Sequence, residues 1–550
     1  MLNFSVKYLR KNLSSLIFFL IITIINYSIL LYIPLINSSI IDDIANRIFN
    51  SNLTKSIFII FILSLLNIIL SYYLGLINIK VSSKISYEIN KDVLFHIEKV
   101  SIFFFYKNSA AYINQRINSD SNVISNFIIT GLRDIIINIA MFIVSFIILC
   151  NINSKIAFIL IILVPVYAII YFVFRKRIYK VNYEFKETQN LFFSEMNMHL
   201  DNIKIVKINV LFNILKERLN NAFSRLFERA MILTKTTSLF SGINSLITIT
   251  SNTLILYFGI MEIKSNNLSL GEFTILTLYF SNMMNSLKYF LSLSSEFQNI
   301  KASYDRLSEW ISMKLENNNS LMIKSIDDIK VEDLSFGYTE SNLIYDSFRF
   351  TFSKGNIYKV KGKNGSGKSS LVNLLIGLYN NHFTGDVKIN GISIKNLDMY
   401  NVRNKLIGVT EQEPLLLPDS IMNNITYNLD EINTNKLNEY IELLNMTEFL
   451  SKLPNYLDTV LSPKSYNLSG GEKQKISLLR TLLKDPDVLI FDEATSALDK
   501  QTTNNLKLLI ESIKREKIII VIDHNDNFDD IVDNVLEIDL LHDNYLIESL

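Results

Sequence analysis

Gly362-Lys363-Asn364-Gly365-Ser366-Gly367-Lys368-Ser369-Ser370 has the order G-x-x-x-x-G-K-[ST], which suits phosphate chemistry. Its glycines let the backbone wrap with amides facing inward. Lys368 adds a cation for β and γ phosphates, and Ser369 offers a hydroxyl to Mg2+. Farther on, DVLIFDEATSALD ends an apolar run in Asp492 and Glu493. Asp492 is expected to hold the magnesium ion and Glu493 to orient or deprotonate an attacking water. Gln412, in IGVTEQEPLLL, is placed to reach magnesium or water, and His524, after IIIVI, to contact the γ phosphate. Tyr338, in DLSFGY, offers a ring on which adenine can stack. Leu468-Ser469-Gly470-Gly471-Glu472 supplies a second potential anion cradle at a helix amino terminus.

These residues need a scaffold that brings strand ends together. Ile357 to Lys361 reads as a strand feeding the glycine-rich loop, and LVNLLIGLY after it has a helical pattern. The apolar runs before Asp492 and His524 read as buried parallel strands whose carboxyl ends meet the ligand. The expected fold over residues 329–550 is an α/β P-loop NTPase. A polar linker at 313–328, which includes ENNNS, precedes it.

Residues 1–312 have a different composition. Six stretches approach the roughly 20 apolar residues needed to cross a hydrocarbon core. They are Leu13 to Ile36, Ser56 to Ile79, Asp134 to Cys150 with a Phe127 to Leu132 lead-in, Lys155 to Phe174, Thr237 to Met261, and Leu270 to Ser294. Basic residues precede the first and follow the second and fourth, which predicts a cytoplasmic amino terminus and a cytoplasmic ATPase. Helical spacing continues through both long inner loops, with crossing helices expected near Tyr106 to Tyr112 and Asp201 to Asn209. Lys288, Arg133 and Asp134 are charges within apolar surroundings. Asn26, Asn67 and Asn138 are expected to be hydrogen-bond glue between helices.

Taken together, these motifs resemble a half-size ABC exporter, in which an all-α six-helix transmembrane domain (type I exporter-like) precedes one ATP-binding cassette, an α/β P-loop NTPase with a helical subdomain that NYLDTVL matches. The resemblance rests on Tyr338, the loop at Gly362 to Ser370, Gln412, LSGGE, Asp492 and Glu493, the SALD turn at Ser496 to Asp499, and His524. In the membrane half it rests on QRINSD, DNIKIVK and LSLGEF. It implies ATP and Mg2+ as ligands and a second half-transporter as partner, with a homodimer favoured over a heterodimer. The Leu468 to Glu472 loop would then serve the ATP held by the other subunit. It also implies an integral protein of the cytoplasmic membrane, in contact with the lipid bilayer.

Export of a hydrophobic or modified peptide is narrowly favoured over a lipid, a lipid-linked glycan or a drug. Import and a non-transport ATPase are the remaining classes. About a dozen residues precede the first span, so no leader-cleaving module is expected there. With 54 basic and 53 acidic side chains, no global field points to nucleic acid. The single cysteine, Cys150, excludes an intrachain disulfide and cysteine-rich metal sites. The chain departs from the family pattern at Glu472, Ala111 and Glu411, where Gln, Gly and Pro are usual. Asp523 beside His524 is unusual, and Ser462, Pro463, Lys464 and Ser465 replace a Gly-Glu-x-Gly pattern.

Overall fold

The computed structural model describes residues 2–49, 51–108, 110–161, 163–339, 342–380, 382–427, 429, 431–462, 468–523, 527–538 and 547–549. It divides into two units, Met1–Ile97 with Ala110–Ser312, and Glu98–Ser109 with Met313–Leu550.

The first unit is helical. It comprises α1 (Leu2–Lys11), α2 (Leu13–Ala45) and α3 (Ser51–Ile97), then, beyond α4 (Phe103–Lys107) of the second unit, α5 (Ala110–Asn126) and α6 (Leu132–Ile152). It continues with α7 (Ser154–Ile161), α8 (Leu163–Asp201), α9 (Ile203–Ile208), α10 (Phe212–Lys264) and α11 (Leu270–Ile311). At 1.5 Å per residue, α3 runs about 70 Å and α10 about 80 Å. A hydrocarbon core takes up only about 30 Å, so both helices project well beyond it.

Among the described residues, four helical stretches are long and apolar enough to cross a membrane: Leu13–Ala45, Ser51–Ile97, Tyr112–Ile152 and Phe212–Lys264. Their flanks expose Phe18, Phe58 and Ile68, side chains that only an apolar solvent would accommodate at such density. The expected sixth span is continuous helix but more polar, because α11 occupies the interior. Its Leu276, Tyr279, Phe280, Met283 and Met284 are buried in an apolar cluster of this unit.

Polar residues fasten these helices at identifiable points. Asn67 donates to the Asn26 side chain at 2.8 Å, and Asn26 donates to Ser71 at 3.3 Å, so α2 and α3 share the expected amide link. Asn138 departs from expectation. Its amide donates to the Asp134 carbonyl one turn back, at 2.7 Å, so it serves its own helix. The QRINSD motif ties α5 to α11: Arg116 lies 4.2 Å from the Trp310 ring centre and donates to Glu309, while buried Asp120 takes both arms of the Arg306 guanidinium.

The Phe127 to Leu132 lead-in is a π-helical turn, Phe127–Gly131, and Tyr289 donates to the Gly131 carbonyl at 3.3 Å. LSLGEF opens α11 as a capping box, with Ser269 accepting from the Glu272 amide and Glu272 accepting from the Ser269 amide. Asp42 of α2 seats on the same end. It accepts from the Gly271 amide at 2.7 Å and from the Ser269 hydroxyl at 2.8 Å. A side chain at Gly271 would collide with the Ser38 carbonyl and the Asp42 carboxylate, so this close approach requires glycine.

In the second unit, β1 (Asp328–Phe336), β2 (Tyr345–Ser353), β4 (Phe383–Ile389) and β5 (Ile392–Ser393) form an antiparallel sheet ordered β2-β1-β4-β5. A second sheet, ordered β10-β9-β3-β8-β7-β6, joins β3 (Ile357–Gly362), β6 (Ile407–Thr410), β7 (Val488–Asp492), β8 (Ile518–Ile522), β9 (Asn534–Ile538) and β10 (Ile547–Ser549). Its strands are parallel apart from β10. Every residue of β8 is buried, as parallel strands covered on both faces require.

The helices here are α12 (Lys368–Leu375), α13 (Met399–Asn401), α14 (Ile421–Thr426), α15 (Thr434–Leu443), α16 (Thr447–Ser451), α17 (Gly470–Leu483) and α18 (Lys500–Ile513). The polar stretch at 313–328 is pinned to this unit rather than free. Leu315 bridges Val100, Leu321 bridges Leu397, and Asn317 donates to the Lys395 carbonyl. A short helix, α4 (Phe103–Lys107), lies a few residues earlier than the crossing helix expected at Tyr106 to Tyr112, and another, α9, falls within the expected Asp201 to Asn209.

Candidate nucleotide site

The register of the parallel sheet brings the phosphate-loop strand and the acidic strand level. Val360 of β3 pairs with Ile522 of β8, and Ile522 pairs with Asp492 of β7. The loop after β3 and the acids ending β7 therefore emerge at one edge, where open α/β sheets bind ligands. Gly367 caps α12 with φ of +101°, a left-handed conformation that costs glycine little. The Ile344 side chain fills the space where a Cβ would stand.

Lys368 folds over this loop, donating to the carbonyls of Gly362 at 2.8 Å and Lys363 at 3.0 Å. Burial lowers its pKa, against the opposing charges of Glu493 and Asp492. The Ser369 hydroxyl donates to Asp492 at 3.1 Å. Burial raises the Asp492 carboxyl pKa, Ser369 opposes that shift, and the Glu493 charge adds to it. A hydroxyl and a carboxylate side by side form a hard-oxygen pair of the kind Mg2+ takes alongside phosphate oxygens.

Gln412, just beyond β6, donates to Glu493 at 2.6 Å. Glu493 has φ of +48°, sparsely populated for a residue with a side chain, and its amide donates to the Ile522 carbonyl at 2.8 Å. Strain of this kind gathers at functional positions. His524 lies outside the described residues, as do Pro463, Lys464 and Ser465. Its neighbour Asp523 is buried and accepts from the Thr495 hydroxyl at 3.3 Å.

The LSGGE stretch starts α17. Ser469 accepts from the Glu472 amide at 3.3 Å, and Glu472 accepts from the Ser469 amide at 2.7 Å. Glu472, where glutamine is usual, therefore places a carboxylate on its own helix amino terminus, which the helix dipole favours. One turn on, Lys475 donates to Asp499 of the SALD turn at 3.1 Å. Gln474 reaches the backbone carbonyl of Glu411 at 3.3 Å, linking this helix to the segment that carries Gln412.

Tyr338 is half exposed, and its hydroxyl is shared with Ser370 at 3.0 Å and Tyr379 at 3.3 Å. Ser370 was expected at the phosphate loop, but its contact with Tyr338 was not. Nothing in the sequence singles out Tyr379, since an aromatic residue ending a helical run carries no distinguishing signal. A cavity of about 620 Å³ lies elsewhere, lined by Tyr400, Tyr427, Arg403, Arg480 and Lys484 among others. Its cations are already engaged: Lys484 donates to the Arg403 and Ile407 carbonyls, Arg480 to the Asn424 carbonyl, and Arg403 to Glu316.

A family model described as ABC transporter transmembrane region matches residues 16–287, and one described as ABC transporter matches residues 345–496. The chain is 28% identical over 445 residues to ABC transporter B family member 1 of Dictyostelium discoideum. That match covers 79% of this chain and 48% of that protein, so the chain spans about half its length. It is 26% identical over 464 residues to the ATP-dependent lipid A-core flippase of Vibrio vulnificus, covering 84% of this chain and 79% of that one. The solved structure of a bacterial Atm1-family ABC exporter with ATP bound has a similar fold, with a TM-score of 0.86 at 18% identity over 97% of this chain and 94% of that one.

Proposed function

The chain belongs to the ABC transporters, as a half-size exporter with transmembrane region and ATPase on one polypeptide, and from that premise we propose that it exports an amphipathic lipid or drug-like molecule. ATP hydrolysis drives the transport. Residues 1–312 are the transmembrane domain, crossing the cytoplasmic membrane six times with the amino terminus inside. Residues 313–328 lead into the cassette at 329–550.

The match to a lipid A-core flippase along most of both chains carries the substrate class, and it favours the lipid alternative over the peptide. Arg133, paired with Asp134, lies in the mostly apolar α6, and half-buried Lys288 lies within the expected sixth span in α11. Such cations suit a polar or anionic head group better than a wholly apolar cargo.

In the catalytic reading, the amides of Gly362 to Ser370 and the Lys368 ammonium hold the ATP phosphates. Ser369, Asp492 and Gln412 would hold Mg2+, which neutralises charge on the phosphates. Glu493, with Gln412 as hydrogen-bond partner, positions the water, and His524 contacts the γ phosphate. Tyr338 supplies the adenine platform. Two copies of the chain form the working transporter, each lending Leu468 to Glu472 to the ATP of the other, and Glu472 must yield its helix end as the phosphate arrives. ATP binding closes the cassettes and hydrolysis reopens them, because the ligand has different affinity for the two states.

Reconstitution in vesicles with a fluorescent phospholipid tests the substrate class. ATP should increase the fraction of probe protected from dithionite on the far leaflet, and the lipid should stimulate hydrolysis. Stimulation by hydrophobic peptides with no lipid movement would return the assignment to peptide export.

A further inference from the structure

The segment around α4 meets the nucleotide site through a chain of hydroxyls that no catalytic role requires. The Tyr106 hydroxyl lies 3.3 Å from that of Tyr379, which lies 3.3 Å from that of Tyr338, which in turn lies 3.0 Å from Ser370 at the start of α12. Asn373 donates to Tyr379 at 3.0 Å. A phenol has one proton to give and two lone pairs. With one lone pair taken by Asn373, Tyr379 has one donor and one acceptor left for its two tyrosine neighbours. It therefore links them in a fixed direction, accepting from one and donating to the other.

Rings hold the hub in place. Tyr379 is only 1% exposed, stacked on Phe336 with centroids 5.1 Å apart, and covered by Phe103 of α4 at 4.8 Å. Phe103 also packs on His382 at 4.2 Å, and the His382 ring bonds Ser101 at 2.9 Å. Burial and its hydroxyl partners raise the Tyr379 pKa, so the phenol keeps its proton at any working pH.

We propose that Tyr379 is a positioning residue that sets the orientation of the Tyr338 ring and ties it to the 98–109 segment, so that this segment helps determine nucleotide affinity. The inference rests on Tyr338 being the adenine platform.

The test uses the full-length protein in lipid nanodiscs and reads KM and kcat for ATP in Tyr338→Ala, Tyr379→Phe, Tyr106→Phe and the double variant. Tyr338→Ala should raise KM about tenfold through lost stacking. Tyr379→Phe keeps every ring contact but removes the hydroxyl that Tyr106, Tyr338 and Asn373 share; it should raise KM about fivefold, with kcat within about twofold. Tyr106→Phe should raise KM in the same direction, and the double variant should be no worse than Tyr379→Phe, because both changes cut one chain. An unchanged KM in Tyr338→Ala overturns the platform and the inference together. A raised KM there with unchanged KM in Tyr379→Phe or Tyr106→Phe, or multiplicative effects in the double variant, overturns the inference alone.

Discussion

Glu493 combines a left-handed backbone, a carboxylate accepting from Gln412 and a position one residue past Asp492. If it positions water, Glu493→Gln removes the base while keeping the shape. That variant should bind ATP with near-normal affinity and hydrolyse it at least about a hundredfold more slowly; hydrolysis at the normal rate would remove Glu493 from the mechanism. Asp499 gives a residue-scale prediction in pH. The Thr502 amide is the main cause of its lowered pKa; burial opposes the shift, and the Thr502 hydroxyl and Lys475 reinforce it, leaving a value of about 2 against an ordinary 3.8. A depressed carboxyl stabilises the fold above its unfolded pKa and loses that contribution as pH falls through the folded value. Asp499 also caps α18. Asp499→Ala should therefore cost about 1 kcal/mol at neutral pH, measured by denaturant unfolding in detergent, and its deficit should shrink below pH of about 4. A deficit independent of pH would mean that the charge has no part in it.

The elements were legible in the sequence where one force dominates and obscure where distant residues decide. Strands β3, β7 and β8 announce themselves as continuous apolar runs because burial on both faces leaves no room for alternation. The length of α3 and α10, well beyond what a hydrocarbon core takes up, follows from unbroken helical spacing. The interior place of α11 was hidden, because its Ser, Asn and Tyr residues lower its hydropathy while the other helices bury it. The π turn at Phe127–Gly131 and the pinning of 313–328 depend on partners far along the chain, Tyr289 in one case and Lys395 and Leu397 in the other. In the site, the phosphate loop and acids were readable as motifs, whereas Tyr379 was not. At this scale Gly271→Ala is the informative change. It forces Asp42 off the α11 terminus, and about 2 kcal/mol or more of stability should go with the lost charge-assisted hydrogen bonds. A thermal midpoint equal to that of the unaltered protein would show that the clasp contributes nothing.

At the scale of the whole molecule, the proposed mechanism pairs two copies of the chain. The capping box at Ser469 and Glu472 gives the LSGGE stretch a formed helix end, held in this structure by the Glu472 carboxylate, and Lys475 holds that helix to Asp499. Ile203, Ile205 and Ile208 of α9 are exposed in the short segment between α8 and α10. The central claim is that Ser469 of one copy and Asn364 of the other flank the same ATP. With Cys150 replaced by serine, Ser469→Cys and Asn364→Cys are combined in one chain and oxidised in native membranes. The account predicts a cross-linked dimer that accumulates with ATP, most strongly when Glu493→Gln blocks hydrolysis, and that is scarce without nucleotide. Equal cross-linking with and without ATP, or none in either condition, would contradict it.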